Sequence, residues 1–425
     1  MVVARLDWPT KRLSTLAEFR NGVNYNKSSF GEGVKVVGVS NFQDYSKPRY
    51  AELEQINPDG IVSERNILRD GDIVFVRSNG NRELIGRSLF IEKPPEEVTH
   101  SAFTIRLRFT SPDVYPKFYA YCFRTPLIRQ ALTAQGGGTN INNLNQDILN
   151  GLEVPLPPLA VQQRIAGILS AYDELIENSQ RRIRILESMA RALYREWFVH
   201  FRFPCHENQP CVASPLGEIP QGWEVKKLKD VCRLTMGQSP KSEFYNEVGD
   251  GEPFHQGVTN FGDRFPTDRL FCTAEGRIAE AGDILFSVRA PVGRMNIANK
   301  RIILGRGLSA IRYNQGSQAF LWEQLRNRFT RDDMMGNGAI FASVTKDDMQ
   351  GIELVCPPPS VIEAATNHFE PLHSEIATLS QQVQNLRRTR DLLLPRLLSG
   401  QVAVDAIPDP DSPFANSESG QGVSA

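Results

Sequence analysis

The sequence contains one module twice, and this duplication constrains the fold more than any other feature. The first copy begins with DWPTKRLSTLAEFRNG at residues 7–22, and the second begins with GWEVKKLKDVCRLTMG at residues 222–237. Identical residues recur in this pair at one offset: Trp8 and Trp223, Leu13 and Leu228, Gly22 and Gly237. We therefore expect two similar units joined in series rather than one continuous domain.

Two more segments repeat in the same order. LRDGDIVFVRSNG at residues 68–80 aligns with AEAGDILFSVRAPVG at residues 279–293. GGGTNINNLNQDILNGLEVPLPP at residues 136–158 aligns with GNGAIFASVTKDDMQGIELVCPP at residues 336–358. The offset between these two segments is 200 residues, and the same offset continues to residue 400. Each half therefore has the order globular module, proline-rich hinge and long helix.

Each module mixes short strands with Gly, Asn and Pro turns. GDIVFVRS and GDILFSVR are apolar, β-rich runs, and AFTIRLRF at residues 102–109 alternates as a half-buried strand does. Residues 115–132 indicate a helical stretch broken by a proline, whose aromatic residues fill a core. The predicted class is α+β, with mixed or mainly antiparallel sheets.

A stretch with coiled-coil spacing follows each hinge. Two such helices, about 57 Å long at 1.5 Å per residue, could pair antiparallel as a spacer, although a plain dimerisation coil is the alternative. Ser179 and Arg390 interrupt the apolar seam, Pro371 predicts a kink or the true start of the second helix, and Pro395 with Gly400 predicts its end. The seam is predicted to comprise Ile165, Leu169, Tyr172, Ile176, Ile183, Leu186, Leu193, Trp197, Phe369, Leu372, Ile376, Leu379, Val383, Leu386, Leu393 and Leu397.

These patterns divide the chain into six segments. They are a first module at 1–158, a first spacer helix at 159–203, a linker at 204–221, a second module at 222–358, a second spacer helix at 359–400 and a disordered tail at 401–425.

Composition limits the class of function. Among 425 residues, 48 Lys and Arg face 49 Asp and Glu, and the net charge of −1 argues against whole-surface nucleic-acid binding but permits local basic patches. The six cysteines contain no C-x-x-C pair and are expected to be free thiols. With neither an apolar leader nor a bilayer-length apolar run, we expect a cytoplasmic protein without membrane contact.

Motifs that would indicate catalysis are missing from the sequence. It contains no phosphate-binding G-x-x-x-x-G-K-[ST] loop, Rossmann fingerprint, nucleophile elbow or adenine-methyltransferase signature. A nuclease site at Asp72 with Glu92 and Lys93 is a weak alternative, because it is unmatched in the second half. We therefore expect no catalytic residue, metal or bound cofactor in this chain.

The repeated motifs resemble those of Type I restriction-modification specificity subunits over about residues 1–400. The resemblance rests on W-x-x-x-x-L near each module start, on GDI followed by V/L-F and an arginine, and on the hinge PLPPLAVQQRIAGIL with Gln162 and Gln163. The second hinge departs from this pattern, since Ile362 and Glu363 occupy the two glutamine positions.

The resemblance implies a non-catalytic subunit with two target-recognition domains, each of which reads one half of a bipartite, asymmetric, gapped site in double-stranded DNA. The long helices would set the gap. Two methyltransferase subunits would dock on them, carry S-adenosylmethionine and methylate adenine N6 after flipping the base. Restriction subunits using ATP and Mg²⁺ would complete the endonuclease.

Base-edge readout favours Arg, Asn and Gln on loops between strands. In the first module the candidates are Arg77, Asn79, Asn81, Arg82, Thr139, Asn140, Asn142 and Asn143. In the second they are Gln238, Ser239, Lys241, Arg289, Arg294, Asn337, Ser343, Thr345 and Lys346. A one-residue slip after Gly-Asp-Ile pairs Arg77 with Arg289. Alternatively, the asparagines only build turns, and the two arginines contact phosphate or form salt bridges.

Two other hypotheses remain open. A scaffold whose repeated modules bind protein partners would show no sequence-selective DNA binding together with its partner. A self-contained enzyme would be active with S-adenosylmethionine and no partner.

Overall fold

The computed structural model describes residues 8–42, 46–134, 143–207, 209–314, 316–329, 334–335, 339–340 and 343–402. Two compact units make up the chain. Unit 1 comprises Met1–Leu175 and Leu386–Ala425, and unit 2 comprises Ile176–Asn385. Each unit thus contains one of the two sequence modules and a part of both long helices.

Unit 1 combines short strands with helices that follow them in the chain. Its strands are β1 (Thr10–Arg12), β2 (Ala17–Asn21), β3 (Phe30–Val37), β4 (Glu54–Ile56), β5 (Ile73–Val76), β6 (Ser88–Phe90), β7 (Val98–His100), β8 (Thr104–Phe109) and β9 (Glu153–Pro155). Its helices are α1 (Pro116–Cys122), α2 (Pro126–Ala134), α3 (Gln146–Gly151) and the first part of α4 (Leu159–Tyr194).

A four-stranded antiparallel sheet of order β2-β8-β5-β6 is the centre of unit 1. A second sheet, β4-β3-β7, is mixed because β3 and β7 are parallel. Alternate residues of β5 and β8, such as Phe75 and Leu107, are fully buried in one apolar cluster with Phe118 and Phe123. The aromatic residues after β8 therefore fill the core, as predicted, and Pro126 begins α2 where the helix was expected to break.

Unit 2 has the same plan with additional short strands. Its strands are β10 (Cys211–Ser214), β11 (Gly217–Pro220), β12 (Glu224–Lys227), β13 (Cys232–Met236), β14 (Tyr245–Asn246), β15 (Glu252–His255), β16 (Phe271–Cys272), β17 (Ile278–Ala279), β18 (Ile284–Ser287), β19 (Met295–Ile297), β20 (Ile302–Leu304), β21 (Leu308–Tyr313), β22 (Met334–Met335), β23 (Ala339–Ile340) and β24 (Glu353–Cys356). Its helices are α5 (Leu228–Val231), α6 (Gln318–Arg328), α7 (Lys346–Gln350), the end of α4 and most of α8 (Pro359–Leu398).

The sequence repeat is a repeat of topology. The β13-β21-β18-β19 sheet has the order and antiparallel pairing of β2-β8-β5-β6. In both units a strand near the module start, β1 or β12, pairs with the strand that precedes a long helix, β9 or β24. The predicted α+β class with two repeated modules is confirmed.

Backbone crowding explains the repeated glycines near the module starts. A Cβ atom on Gly22 would lie 2.2 Å from the carbonyl oxygen of His100, and one on Gly237 would lie 2.1 Å from that of Gly305. Only glycine fits such an approach, so this repeated residue serves the fold of both units.

Within each unit the two long helices run antiparallel. In unit 1, Ile165 at the start of α4 shares an apolar cluster with Leu397 at the end of α8. In unit 2, Tyr194 at the end of α4 shares one with Ala365 at the start of α8. The predicted antiparallel pairing is therefore confirmed within both units.

None of the predicted seam residues is exposed. Those that are buried are Ile165, Leu169, Ile176, Trp197, Phe369, Ile376, Leu379, Val383 and Leu397. Those that are partly buried are Tyr172, Ile183, Leu186, Leu193, Leu372, Leu386 and Leu393. Arg390, a polar interruption in the seam, forms an ion pair with the buried Asp173 carboxylate of α4.

Prolines do not bound the second helix as expected. Pro371 lies inside α8, which begins twelve residues earlier at Pro359, and the helix also continues past Pro395 to Leu398. Phe369 and Ile376 are buried on either side of Pro371, and this packing offsets the hydrogen bond that proline cannot donate. Gly400, at φ +68°, follows the helix end as predicted.

The segment interpreted as a linker, residues 204–221, contains an ordered antiparallel hairpin formed by β10 and β11. Most of the predicted tail, residues 403–425, lies outside the described residues. No helix in the described ranges is long and apolar enough to cross a bilayer.

Candidate nucleic-acid interface

The buried aspartate of the repeated GDI motif forms an ion pair with an arginine in both units. Asp72 is 1 % exposed, and its carboxylate accepts hydrogen bonds of 2.7 Å from Nε and Nη2 of Arg108 and from the backbone N–H of Arg69. Asp283 accepts from Nε of Arg312 and, at 2.8 Å, from the N–H of Glu280, whereas Nη2 of Arg312 donates to the carbonyl oxygen of Ala281. Because both copies use the aspartate to tie β5 to β8 or β18 to β21, the motif is structural.

The two carboxylates of the alternative nuclease site each form ion pairs with other residues. The Asp72 carboxylate is occupied by Arg108, whereas Glu92 forms ion pairs with Lys47 and Lys117. The structure does not bring Asp72 and Glu92 together in one ion-pair network. Among the described residues, no group of three or more His, Cys, Asp or Glu side chains is placed to hold a metal ion.

Two loops meet at the end of β5, where candidate contacts of the first module were predicted. Ser78 forms an isolated antiparallel bridge with Asn143, and the N–H of Leu144 donates to the carbonyl oxygen of Arg77 at 2.8 Å. Arg77 is half-buried, and Asn143 is exposed. The structure therefore brings the loop after the GDI strand together with the end of the Gly-rich loop, which are far apart in sequence.

Asn79 and Asn81 build the turn that follows. Oδ1 of Asn79 accepts from the N–H of Asn81 at 2.7 Å, and Oδ1 of Asn81 accepts from the N–H of Glu83 at 3.0 Å. Their side-chain oxygens therefore stabilise the turn, as the alternative interpretation predicted, and any DNA contact would come from their amide nitrogens. The backbone of Arg82 begins a single 3-10 turn, Arg82–Leu84, and its side chain lies outside the described part of the structure.

The second module has the same loop pairing. Arg289 bridges Ser343, and the N–H of Val344 donates to the carbonyl oxygen of Val288 at 2.8 Å. Arg289 and Ser343 are both exposed. Arg294 is exposed immediately before β19, and its N–H donates to Oγ of Ser287 at 2.9 Å.

Hydrogen-bond register corrects the sequence pairing of Arg77 with Arg289. The N–H of Arg77 donates to Phe103 and that of Val288 to Gly307, so Arg77 corresponds to Val288. Arg289 corresponds to Ser78, because each forms the isolated bridge to the second loop. No residue is inserted before this point, so the slip placed after Gly-Asp-Ile was wrong. The sequence alignment matched Arg77 with Arg289 because each module has an arginine in this segment, but the two arginines are one position apart. On an extended chain neighbouring side chains point to opposite faces, so the two arginines are not equivalent.

The remaining described candidates fall into structural and exposed groups. Thr345 is the N-cap of α7, in a capping box with Asp348, so its hydroxyl serves the helix. Oγ of Ser239 donates to Gln256 at 3.0 Å and accepts from the N–H of Arg306 at 3.2 Å. Side chains that remain at the surface are those of Gln238, Lys241 and Lys346.

Gln238 and Ser239 also line an open cavity of about 340 Å³ together with Arg277. Four further candidates, Thr139, Asn140, Asn142 and Asn337, lie outside the described residues.

Phe103 is a candidate that the sequence did not indicate. Its side chain is 62 % exposed, and its carbonyl oxygen accepts from the N–H groups of Arg77 at 2.8 Å and Ser78 at 3.3 Å. The alternating pattern placed Phe103 on the apolar face with Ile105 and Leu107, but β8 begins only at Thr104. An exposed aromatic side chain held beside two candidate loops is suited to contact a base or a thymine methyl group.

Comparison with known proteins shows the family to which the chain belongs. The family model described as the Type I restriction modification DNA specificity domain matches residues 5–188 and 220–384. The chain is 30% identical over 408 residues to the Methanocaldococcus jannaschii protein named as the type I restriction enzyme MjaX specificity subunit, covering 94% of both. It is 25% identical over 432 residues to the MjaIX specificity subunit of the same organism, covering 94% of this chain and 95% of that protein.

A solved structure shares the fold. The crystal structure of the Type-I restriction-modification system S subunit from M. genitalium aligns with a TM-score of 0.58 and 16% identity, over 93% of this chain and 97% of the other. The two family matches cover one module each, in agreement with the repeat of topology. The chain therefore belongs to the family of Type I restriction-modification specificity subunits.

Proposed function

We propose that this chain reads a bipartite, asymmetric DNA site with its two modules and directs partner methyltransferase and restriction subunits to that site. The observation that carries the proposal is the paired loop arrangement at the end of β5 and at the end of β18. Both units form the same bridge, Ser78 with Asn143 and Arg289 with Ser343, but with different side chains. A common frame with different polar groups is what two readers of different half-sites require.

In this proposal the chain itself contributes recognition and geometry but no catalysis. Two methyltransferase subunits would dock on α4 and α8 and supply S-adenosylmethionine, and restriction subunits would supply ATP- and Mg²⁺-dependent cleavage. The helices would set the unread gap, because DNA rises a fixed distance per base pair and a stiff helix has a fixed length. Helices of 36 and 40 residues are suited to this role, whereas a flexible linker is not.

Methylation mapping in cells tests the proposal. The chain is co-expressed with a methyltransferase subunit from the same system, and methyladenine is mapped over the genome. We expect methylation at one gapped, asymmetric motif. Exchange of residues 1–158 for those of a relative should change one half of the motif, and exchange of 222–358 should change only the other half.

The exchanges act as controls for each other, since each leaves the opposite half-site unchanged. Methylation at an ungapped motif would contradict the two-reader proposal. Absence of methylation by a complex that assembles normally would favour a scaffold for protein partners. Activity of the purified chain alone with S-adenosylmethionine would contradict its non-catalytic role.

A further inference from the structure

An open cavity in unit 1 is lined almost entirely by charged side chains. Its volume is about 400 Å³. Besides Phe19, its lining consists of two glutamates and five arginines: Glu18, Glu64, Arg20, Arg65, Arg69, Arg106 and Arg108. We call this feature the arginine cavity.

The strand register explains why these side chains converge. In the ladder between β2 and β8, Glu18 lies opposite Arg108 and Arg20 lies opposite Arg106. Residues two apart share a face, so these four side chains occupy one face of the sheet. The opposite face carries Ile105 and Leu107, which are fully buried in the apolar core. The segment before β5 supplies Arg65 and Arg69.

Positive charge in the cavity exceeds the negative charge that balances it. Arg106, Arg108 and Arg69 form ion pairs with Glu18, Asp72 and Glu64. Arg20 and Arg65 make no side-chain hydrogen bond or ion pair with any residue that the structure describes. Two guanidinium groups therefore remain unbalanced beside three that are already paired.

Arg106 adds a buried donor to this site. The residue is 2 % exposed, and its Nη groups donate to Glu18 at 2.7 Å and to the carbonyl oxygen of Arg65 at 3.1 Å. Its Nε has no hydrogen-bond partner in the described structure. Burial, together with repulsion from Arg106, Arg108 and Arg20, lowers the pKa of the nearby His100 to about 3. The region is thus strongly electropositive and short of acceptors.

Unit 2 lacks the arginine cavity although it has the same sheet. The strand and turn register matches Arg20, Arg69 and Arg106 to Thr235, Glu280 and Ala310. Only Arg108 has an arginine counterpart, Arg312, which pairs with Asp283. Since the fold forms without the other arginines in unit 2, they are not needed to build this sheet.

We propose that the arginine cavity binds a phosphate group, and that this phosphate belongs to the backbone of the DNA read by the first module. The assignment to DNA rests on the proposed function. The position of the cavity supports it, because Arg106 lies three residues, about 10 Å along an extended strand, from Phe103 beside the candidate reading loops. Guanidinium groups match phosphate oxygens in charge and geometry, and such contacts position a protein without selecting bases.

The test uses a double variant, Arg20→Gln with Arg65→Gln, which removes the two unpaired groups and leaves every ion pair of the cavity intact. The control is Arg12→Gln with Arg233→Gln. It makes the same charge change at two exposed arginines outside the cavity, one in each unit. Hydrogen–deuterium exchange over β2 and β8 confirms that all chains are folded.

The first measurement is the unfolding temperature of the full chain with inorganic phosphate or chloride at equal ionic strength. We expect phosphate to stabilise the wild type and the control more than the cavity variant. An equal response of all three chains would overturn the cavity as a phosphate site. This measurement uses no DNA, so it stands even if the proposed function fails.

The second measurement is the affinity of the chain, assembled with its methyltransferase partner, for its methylated motif as salt is varied. The cavity variant should bind about tenfold more weakly at low salt, with a salt slope reduced by about 1 to 2 relative to the control. The loss should be similar for altered half-sites. Equal DNA binding by variant and control, with a phosphate effect in the first measurement, would overturn the DNA source in favour of free phosphate. Failure of the wild-type complex to select any motif would refute the proposed function instead.

Discussion

Unit 1 and unit 2 have the same backbone frame but different buried polar groups. Both have the same four-stranded sheet, an Asp–Arg pair at the GDI turn and a bridge between two loops. They differ at equivalent sites of the long helices, where Asp173 of unit 1 corresponds to His373 of unit 2. Asp173 accepts from Tyr121 at 2.7 Å, whereas His373 lies between Glu323 and Arg264 at 3.0 Å from each.

The hinges differ in a similar way. Gln162 is fully buried, accepts from the N–H of Tyr115 and donates to the carbonyl oxygens of Asp113 and Pro157, all at 2.8 Å. Its counterpart, Ile362, is buried among apolar side chains and makes no such polar contact. The comparison teaches that features present in both units maintain the fold. Features of one unit either replace a lost contact or are candidates for that unit's own function.

The largest expected effect is the loss of stability when the aspartate of a GDI ion pair is removed, and this loss should differ between the two units. Asp72→Ala leaves Arg108 without its carboxylate, and we expect a loss of about 3 kcal/mol or more in the free energy of unfolding of unit 1. Asp283→Ala should cost unit 2 less, because the side chain of Arg312 is 38% exposed against 21% for Arg108. Hydrogen exchange of β5 and β18 amides measures both losses, and equal losses would contradict the difference in burial.

Exchanging the hinge residues should destabilise both units. Gln162→Leu leaves the N–H of Tyr115 and two carbonyl oxygens without their partner, at a cost of about 1–3 kcal/mol. Ile362→Gln buries an amide among apolar side chains, at a similar cost. Urea denaturation followed by exchange in each unit tests this, and Gln163→Leu, at an exposed neighbour, is the matched control. A neutral Gln162→Leu would mean that the hinge glutamine has no structural role.

Acid should destabilise unit 1 through His100. Burial, with the adjacent arginines, lowers its pKa to about 3, whereas an unfolded histidine titrates near 6.5. Below pH ~6.5 the unfolded state binds a proton that the folded state does not. The free energy of unfolding therefore decreases as the pH is lowered, by about 2 kcal/mol at pH 5. His100→Leu introduces the residue that unit 2 has at the matching position, Leu304, and should remove this contribution. An unchanged pH dependence in that variant would contradict the assignment.

The smallest expected effect is that of removing the exposed Phe103 side chain. Phe103→Ala should reduce methylation of the site by about tenfold, or relax one half of the motif, through loss of an aromatic or methyl contact with a base. Stability should change little, because the side chain is 62 % exposed. Phe244→Ala, at a 40 % exposed phenylalanine of the second module, is the comparison variant. A change in the half-site read by the second module would place Phe103 outside the first reader.

Much of the fold follows from patterns in the sequence. The repeat predicted two modules of one topology, and three- and four-residue spacing predicted the helices that became α4 and α8. These predictions succeed because hydrophobic periodicity is a local property of the chain, and because a repeated sequence specifies a repeated structure. Two boundary predictions were wrong, because Pro371 does not mark the start of the second helix and Pro395 does not end it, and both lie within a helix that tertiary packing maintains.

The candidate interface was only partly visible in the sequence. The sequence indicated the loop after the GDI strand and the Gly-rich loop, but not that Ser78 and Asn143 form a bridge. Their contact depends on a pairing over more than sixty residues, which local patterns do not encode. The equivalence of Arg77 and Arg289 failed for a related reason, since hydrogen bonds rather than similar letters define register.

The sequence by itself determined that this protein has two copies of one module, each followed by a long amphipathic helix, and it carried the family resemblance. Only the tertiary structure decided which polar residues are structural. It placed Gln162 and Asp72 in the interior, left Phe103 at the surface and gathered five arginines around one cavity. The physical reason is that burial and charge balance depend on long-range strand pairing. An arginine can therefore stabilise the fold in one unit, as Arg312 does, and line a candidate ligand site in the other, as Arg20 does.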